Sequence, residues 1–193
     1  MQTIKMKWTG VRPLIMHNGR LADPLDEYTS QIKEMRKDKR AAGTDSVMKK
    51  LVRLEWEGSL YWSESMGPVI PSDNIERCVQ LGAQKIKKGK DVMAAVFCAE
   101  PEVKLEYDGP RALDAMHNSG RFVIRKGVVI KKQRIIRIRP MFPTGWSVSF
   151  ALEYDNQVID EKDLVRCCEE AGALVGLGDW RPKFGRFVVE VLK

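Results

Sequence analysis

Residues 176–187, with the sequence "GLGDWRPKFGRF", combine the side chains that hold phosphates and stack on bases. Cations bind phosphate oxygens, and the indole of Trp180 offers a face for a base. The backbone at Gly176 and Gly178 has no Cβ to keep a phosphate away. A second interpretation is a plain glycine turn before the last strand, with Trp180 packed on the core. The cations of this segment are Arg181, Lys183 and Arg186.

Two further pairs of cations lie on segments that we predict to be strands. Lys5 and Lys7 alternate with apolar residues near the N-terminus, and Arg137 and Arg139 alternate with isoleucines. We expect these four side chains to line the sheet face opposite the helices, where RRM-like folds bind single strands. No aromatic pair stands on the adjacent strands, so ordinary RRM base stacking is not predicted.

The end of the first predicted helix is also basic, from Lys33 to Arg40. Such a run is typical of a solvated helix face. If the helix instead forms a thumb-like projection over a groove, its cations would bind the phosphates of a nucleic-acid strand. The binding candidates in and before this helix are Arg20, Arg36 and Lys37.

His17 is the one candidate for catalysis, because an imidazole titrates near neutrality and can act as a general base in RNA cleavage. The alternative is a turn histidine that contacts RNA or ends the strand. Asp23 and Asp26 could bind a metal, but Asp23 precedes Pro24, and this pair favours a helix N-cap. We therefore predict no metal site and no cofactor.

The composition excludes several other classes of protein. The 193 residues carry a net charge of +7, which favours a polyanionic partner. The four cysteines lack a CxxC spacing and only two histidines are present, so reduced thiols are expected and zinc is not. No Walker loop, GxSxG or HExxH motif occurs. Neither a membrane-spanning run nor a signal peptide is evident, and we expect a cytoplasmic protein without membrane contact.

The elements that must position these residues alternate between strands and helices. Two helices over about residues 24–57 are interpreted as an insertion, and a helix from Asp73 has Glu76 at capping-box spacing. A second helix follows Asp160, a candidate N-cap. The predicted fold class is α+β, with an antiparallel sheet and two helices on one face. Strands are expected at residues 3–9, 92–98, 103–107, 121–130, 134–139, 146–152 and 187–191, with a small hairpin at 59–70.

Three segments in the same order resemble the repeat-associated RAMP superfamily. "RPLIMHNG" at 12–19 is similar to its Leu-x-x-His-x-Gly exit from the first strand, and "GPVIPSDNIERCV" at 67–79 to the Gly-x-x-Ile-Pro segment that opens its first helix. Residues 176–187 are similar to its glycine-rich loop. The resemblance implies a ferredoxin-like (RRM-like) core. The family includes CRISPR backbone subunits that polymerise along guide RNA and metal-independent ribonucleases.

We therefore predict a single RAMP-like domain over residues 1–193, with a thumb-like helical insertion at about 24–57. The leading functional prediction is a non-enzymatic protein that binds RNA or single-stranded DNA, with copies assembled along the strand as a homo-oligomer. One alternative is a metal-independent endoribonuclease that uses His17. Another is a structural or inhibitory interaction protein, for instance one encoded by a phage, that uses the same fold.

Overall fold

The computed structural model describes residues 1–37, 44–130 and 133–193. Its antiparallel sheets and helices confirm the α+β class. The strands are β1 Gln2–Gly10, β2 Leu14–Ile15, β3 Trp62–Ser63, β4 Gly67–Pro71, β5 Val96–Cys98, β6 Glu102–Glu106, β7 Val123–Ile130, β8 Gln133–Phe142, β9 Ser147–Tyr154 and β10 Phe187–Leu192. The α-helices are α1 Glu27–Lys37, α2 Asp45–Ser59, α3 Ser72–Lys85, α4 Gly89–Ala95, α5 Leu113–Asn118 and α6 Glu161–Glu170.

The chain divides into two compact units, each built from separated segments. Unit 1 contains Met1–Ile15, Trp62–Gly109 and Phe142–Lys193. Unit 2 contains Met16–Tyr61 and Pro110–Met141, and thus includes the predicted helical insertion. The cations Lys39 and Arg40, at the basic end of the first predicted helix, lie outside the described residues.

The sheet of unit 1 has the strand order β10-β1-β9-β6-β4-β3, and β5 also pairs with β9. Neighbouring strands in the central part of this sheet are antiparallel: β1 pairs with β10 and with β9, and β9 pairs with β6. It follows that β1 runs parallel to β6 with β9 between them, and β9 runs parallel to β10 with β1 between them. Helix α3 lies in the first connection along the chain and α6 in the second.

The core of unit 1 lies on one face of this sheet, because successive side chains of a strand point to opposite faces. On β1 the buried residues Ile4, Met6 and Trp8 alternate with Lys5 and Lys7, as the sequence pattern predicts. The Trp8 ring is fully buried. It stacks on the ring of Phe187 at 4.1 Å and meets Phe150 edge-on at 4.8 Å. Strand β9 adds Val148, Phe150 and Leu152 to the same buried layer.

Helices α3 and α6 pack against each other at a glycine. A Cβ at Gly82 would lie 2.4 Å from the carbonyl oxygen of Cys167, so only glycine allows this approach. The predicted N-cap of α6 is confirmed, because the Asp160 carboxylate accepts the Asp163 amide at 2.8 Å. The predicted capping box of α3 is wrong. Glu76 reaches out of its own helix and accepts the amide of Cys98 on β5 at 2.9 Å.

The segment 92–98, predicted as one strand, is largely helical. Helix α4 buries Val92 and Ala95 at helical spacing and leaves Met93 64% exposed, and only the three residues of β5 continue as a strand. A short apolar run is compatible with both the two-residue period of a strand and the 3.6-residue period of a helix, and residues 92–95 adopt the helix. The predicted hairpin at 59–70 is confirmed by the pairing of β3 with β4.

Unit 2 combines the packed helices α1 and α2 with α5 and the antiparallel hairpin of β7 and β8. Its centre is Trp56 of α2, whose buried indole donates a 2.8 Å hydrogen bond to the carbonyl oxygen of Phe122. Helix α1 begins after Asp26, which accepts the amide of Tyr28 at 2.9 Å. The predicted cap at Asp23 is wrong, since that carboxylate accepts the Leu25 amide before the helix starts.

Candidate functional site

Unit 2 contains a cavity of about 700 Å³ whose lining includes five lysine and arginine side chains beside an apolar wall. We call it the cationic cleft. Its apolar wall is formed by Leu21, Ala22 and Ile32, and its single lining carboxylate in the described chain is Glu55. Helix α1 and strand β8 supply the positive charges. The cationic residues that line the cleft are Lys33, Arg36, Lys37, Arg137 and Arg139.

Glu55 holds two of these arginines. Its side chain is 10% exposed, and its Oε1 accepts a hydrogen bond from the Arg36 Nη2 at 2.5 Å. The Nη1 of Arg137 lies 3.8 Å from the same oxygen. A guanidinium has five N–H donors, so pairing with one carboxylate leaves donors that can face a ligand. Glu55 therefore holds Arg36 by a hydrogen bond and attracts Arg137 to the same wall of the cleft by charge alone.

Arg139 is the most buried cation of the cleft, with 8% of its surface exposed. Its Nη1 donates to the Ser59 hydroxyl at 3.4 Å and to the Ile138 carbonyl at 3.0 Å. A buried charge is costly unless it is balanced by hydrogen bonds or an opposite charge. An anion in the cleft would add to that balance.

The other predicted residues of unit 2 divide between the cleft and its surroundings. His17 is exposed and lines the cleft, and its backbone carbonyl accepts the Tyr61 hydroxyl at 3.1 Å. Arg20, in contrast, is not one of the residues that line the cleft. Its guanidinium lies over the Tyr28 ring at 5.4 Å.

In unit 1, packing explains the glycines of residues 176–187. Gly176, Gly178 and Gly185 all have positive φ angles, of 85°, 81° and 73°. A Cβ at Gly178 would lie 2.3 Å from the Ile15 carbonyl oxygen, and one at Gly185 only 1.8 Å from that of Leu177. The Gly176 amide already donates to the Ala171 carbonyl at 2.8 Å. The turn interpretation thus accounts for the glycines without any ligand.

Two of the three cations of the same segment are exposed to solvent near an aromatic ring. Arg181 and Lys183 are exposed, whereas Trp180 is half-buried with its ring 6.2 Å from that of Phe184. Trp180 does not pack into the core as the turn interpretation expected. Arg186 is half-buried, and its Nε donates to the Pro182 carbonyl at 2.9 Å. An open groove of about 560 Å³, which we call the aromatic groove, is lined by Leu81, Lys85, Leu174, Trp180 and Arg181 among others.

Lys5 and Lys7 do lie on the sheet face opposite the core of unit 1. Arg137 and Arg139 do not join them, because β8 belongs to a different sheet; the expectation of a shared face is wrong. The cross-strand partner of Lys7 on β10 is Glu190. This face therefore carries charges of both signs and is a weaker anion site than the cationic cleft.

The described residues offer neither a metal-ligand cluster nor a thiol suited to catalysis. They contain no group of three or more His, Cys, Asp or Glu side chains that could hold a metal. All four cysteines are free, and burial raises the pKa of the Cys78 thiol to about 12. Such a thiol is protonated near neutrality and is a poor nucleophile.

Glu55 was not predicted as a site residue from the sequence. A signal was present, because Glu55 continues the helical spacing of Leu51 and Val52 on the inner side of α2. A carboxylate on an inward face needs a cation to balance it. Lys85, which lines the aromatic groove, was also not predicted as a site residue.

Comparison with known proteins finds no family model that matches the chain and no matching curated protein. In the described part of the chain, no helix is both long and apolar enough to cross a membrane. Function is therefore inferred from the side chains of the cationic cleft and the aromatic groove.

Proposed function

We propose that this protein binds RNA or single-stranded DNA without reacting with it, chiefly through the phosphates. The observation that carries the proposal is the cationic cleft. Five cationic side chains and one carboxylate leave an excess of four positive charges around one cavity when His17 is neutral. Phosphate contacts from lysine and arginine are the main source of affinity in sequence-independent binding.

The aromatic groove is a second contact surface for the same kind of ligand. Arg181 is exposed next to Trp180, and Lys85 lines the same groove. A base can stack on the partly exposed indole while the cations hold its phosphate. Stacking accepts any base, so this surface would add affinity with little sequence preference.

The architecture of unit 1 supports a ferredoxin-like (RRM-like) assignment. When its strands β2, β3, β4 and β5 and its helix α4 are left out, unit 1 follows the order β1-α3-β6-β9-α6-β10, which is strand, helix, strand, strand, helix, strand. Each helix connects two parallel strands that have one strand inserted between them, the split arrangement of that fold. Together with the three RAMP-like segments, this favours membership of the RAMP superfamily and assembly of several copies along a strand.

Fluorescence anisotropy with labelled RNA and DNA strands of about 16 nucleotides would test binding. We expect the logarithm of the binding constant to fall linearly with the logarithm of the salt concentration. Arg137→Ala should weaken binding, whereas Lys162→Ala, which removes an exposed cation of α6, should change it little. Absence of binding, or binding that does not respond to salt, would overturn the proposal.

The second candidate is a metal-independent endoribonuclease, and the position of His17 at the cationic cleft favours it. An imidazole beside a bound phosphate can take the proton of an attacking 2′-hydroxyl. End-labelled RNA incubated with the protein in EDTA should then be cut, and His17→Ala should abolish the cuts. Intact RNA after prolonged incubation, or equal cleavage by His17→Ala, would remove this candidate.

A further inference from the structure

We propose that the cationic cleft is a site for a terminal phosphate monoester, so that the protein recognises a phosphorylated strand end. This inference rests on the proposed function, because it names the part of the nucleic acid that enters the cleft. It assigns different tasks to the two surfaces. The cationic cleft takes the end phosphate, and the aromatic groove takes bases and internal phosphates.

The charge of the cleft fits a monoester better than a diester. A terminal phosphate carries about −1.5 to −2 charges at neutral pH and three strong acceptor oxygens, whereas an internal diester carries one charge. The cleft concentrates an excess of four positive charges, and its Arg139 is only 8% exposed. A nearly buried guanidinium gains most from a ligand that brings more than one negative charge to a single point.

The walls of the cleft fit a phosphate rather than a base. Among the described residues that line it, none is aromatic apart from the imidazole of His17, and its apolar wall consists of Leu21, Ala22 and Ile32. Sequence-independent base binding generally uses the faces of Trp, Tyr or Phe rings. The volume of about 700 Å³ falls within the range of small-ligand sites, so a phosphate with its attached nucleoside can enter.

Glu55 acts as a positioning residue for this site. One of its carboxylate oxygens accepts a hydrogen bond from Arg36 and lies 3.8 Å from Arg137, so Arg36 is oriented, and Arg137 is drawn to the same wall, before a ligand arrives. Guanidinium forks bind phosphate oxygens in pairs, and a group that is already oriented loses less entropy on binding. The three oxygens of a monoester can accept from both forks at once.

The test compares three strands of one sequence in the anisotropy assay: one with a 5′-phosphate, one with a 3′-phosphate and one with hydroxyls at both ends. We expect one phosphorylated strand to bind at least about tenfold more tightly than the hydroxyl-ended strand, as new charge-assisted hydrogen bonds imply. The arm that gains affinity identifies the end. Equal binding of all three strands would overturn this inference and leave the proposed function standing.

The variants locate the effect. Arg137→Ala and Arg137→Lys should both reduce the preference for the phosphorylated end, the second because lysine lacks the planar fork. Lys50→Ala removes an exposed cation of α2 that does not line the cleft, and Arg181→Ala removes a cation of the aromatic groove. Both variants should retain the preference for the phosphorylated end. Circular dichroism melting checks that each variant is folded. A preference that survives in both folded Arg137 variants would contradict the assignment to the cationic cleft.

If no strand binds at all, the proposed function fails, and the cleft is then tested directly. Isothermal titration with adenosine 5′-monophosphate should show saturable binding that adenosine does not reproduce and that Arg137→Ala abolishes. That result would keep the monoester site without the nucleic acid. No heat of binding from the monophosphate would overturn the site as well.

Discussion

The guanidinium of Arg36, which is half-exposed on α1, pairs with the carboxylate of Glu55, which is only 10% exposed on α2. This pair connects the two helices of unit 2 across 19 positions of sequence. It also fixes one wall of the cationic cleft, because Arg137 of β8 approaches the same carboxylate oxygen. The pair therefore links the stability of unit 2 to the geometry of its anion site.

We predict that Glu55→Gln lowers the free energy of unfolding by about 1–2 kcal/mol, less than for a fully buried pair because Arg36 is half-exposed. A double-mutant cycle with Arg36→Ala, followed by urea unfolding, measures the coupling. The matched control is a cycle of Glu55→Gln with Lys50→Ala. Lys50 is exposed on the same helix, so the changes in the free energy of unfolding from these two substitutions should be additive. A cycle with no coupling between Glu55 and Arg36 would contradict the ion pair.

Gly178→Ala is predicted to destabilise unit 1 by about 2 kcal/mol or more, since a side chain at φ 81° is strained and its Cβ meets the Ile15 carbonyl at 2.3 Å. Urea unfolding measures the change. Gly19→Ala is the control, because a Cβ at Gly19 meets no atom within 4 Å and its φ is not positive. Equal stability of both variants would show that the loop does not pass Ile15 as described.

Replacing Arg181 and Lys183 together by alanine should leave stability within about 0.5 kcal/mol, because both side chains are exposed. Polyanion affinity should fall, and the salt dependence should become shallower by about one unit of slope for each phosphate that the variant no longer binds. Anisotropy in a salt series measures both quantities, with Lys162→Ala as the matched removal of an exposed cation. If the double variant unfolds, the loop is a structural hinge rather than a binding surface.

Acid should weaken unit 2 through His117, whose ring meets Trp56 edge-on at 5.2 Å. Burial, and next the charge of Arg53, lower the pKa of His117 below 6.5. The folded state therefore favours the neutral imidazole. The contribution of this ring to the free energy of unfolding is complete above pH 6.5 and is lost as the pH falls from 6.5 through the lower folded-state pKa.

Urea unfolding of the parent and of His117→Gln between about pH 7.5 and about pH 5 tests this expectation. The parent should lose more stability than the variant over this range, because glutamine does not titrate. Carboxylates titrate in both proteins, so the comparison isolates His117. Parallel pH profiles would show that protonation of this ring does not oppose folding.

Much of the fold follows from local pattern. The alternation of Ile4, Met6 and Trp8 predicts β1 and its buried face, and Asp160 predicts the start of α6; the structure confirms both. Both features depend on neighbouring residues alone, through the two-residue period of a strand and the reach of one carboxylate. Glu76 was misassigned because its acceptor role is satisfied by Cys98, a residue 22 positions away.

The candidate site was only partly predictable for the same reason. Basic residues at 36–37 and at 137–139 were each identified as binding candidates, but Arg137 and Arg139 were assigned to the sheet of Lys5. Which strands pair is decided by packing of the whole chain, and β8 pairs with β7 in unit 2 instead. Glu55, which brings Arg36 and Arg137 together, shows its role only when these distant segments meet.

The alternating period of β1, the N-cap of α6 and the basic charge that favours a polyanionic partner can all be identified from the amino-acid sequence alone. Each is a property of neighbouring residues or of the total composition. The folded chain is needed to show that close backbone packing requires the glycines of 176–187 and that Arg36, Arg137 and Arg139 line one cleft. Backbone clearances and convergent charges depend on residues far apart in the chain, which meet only once each unit is packed.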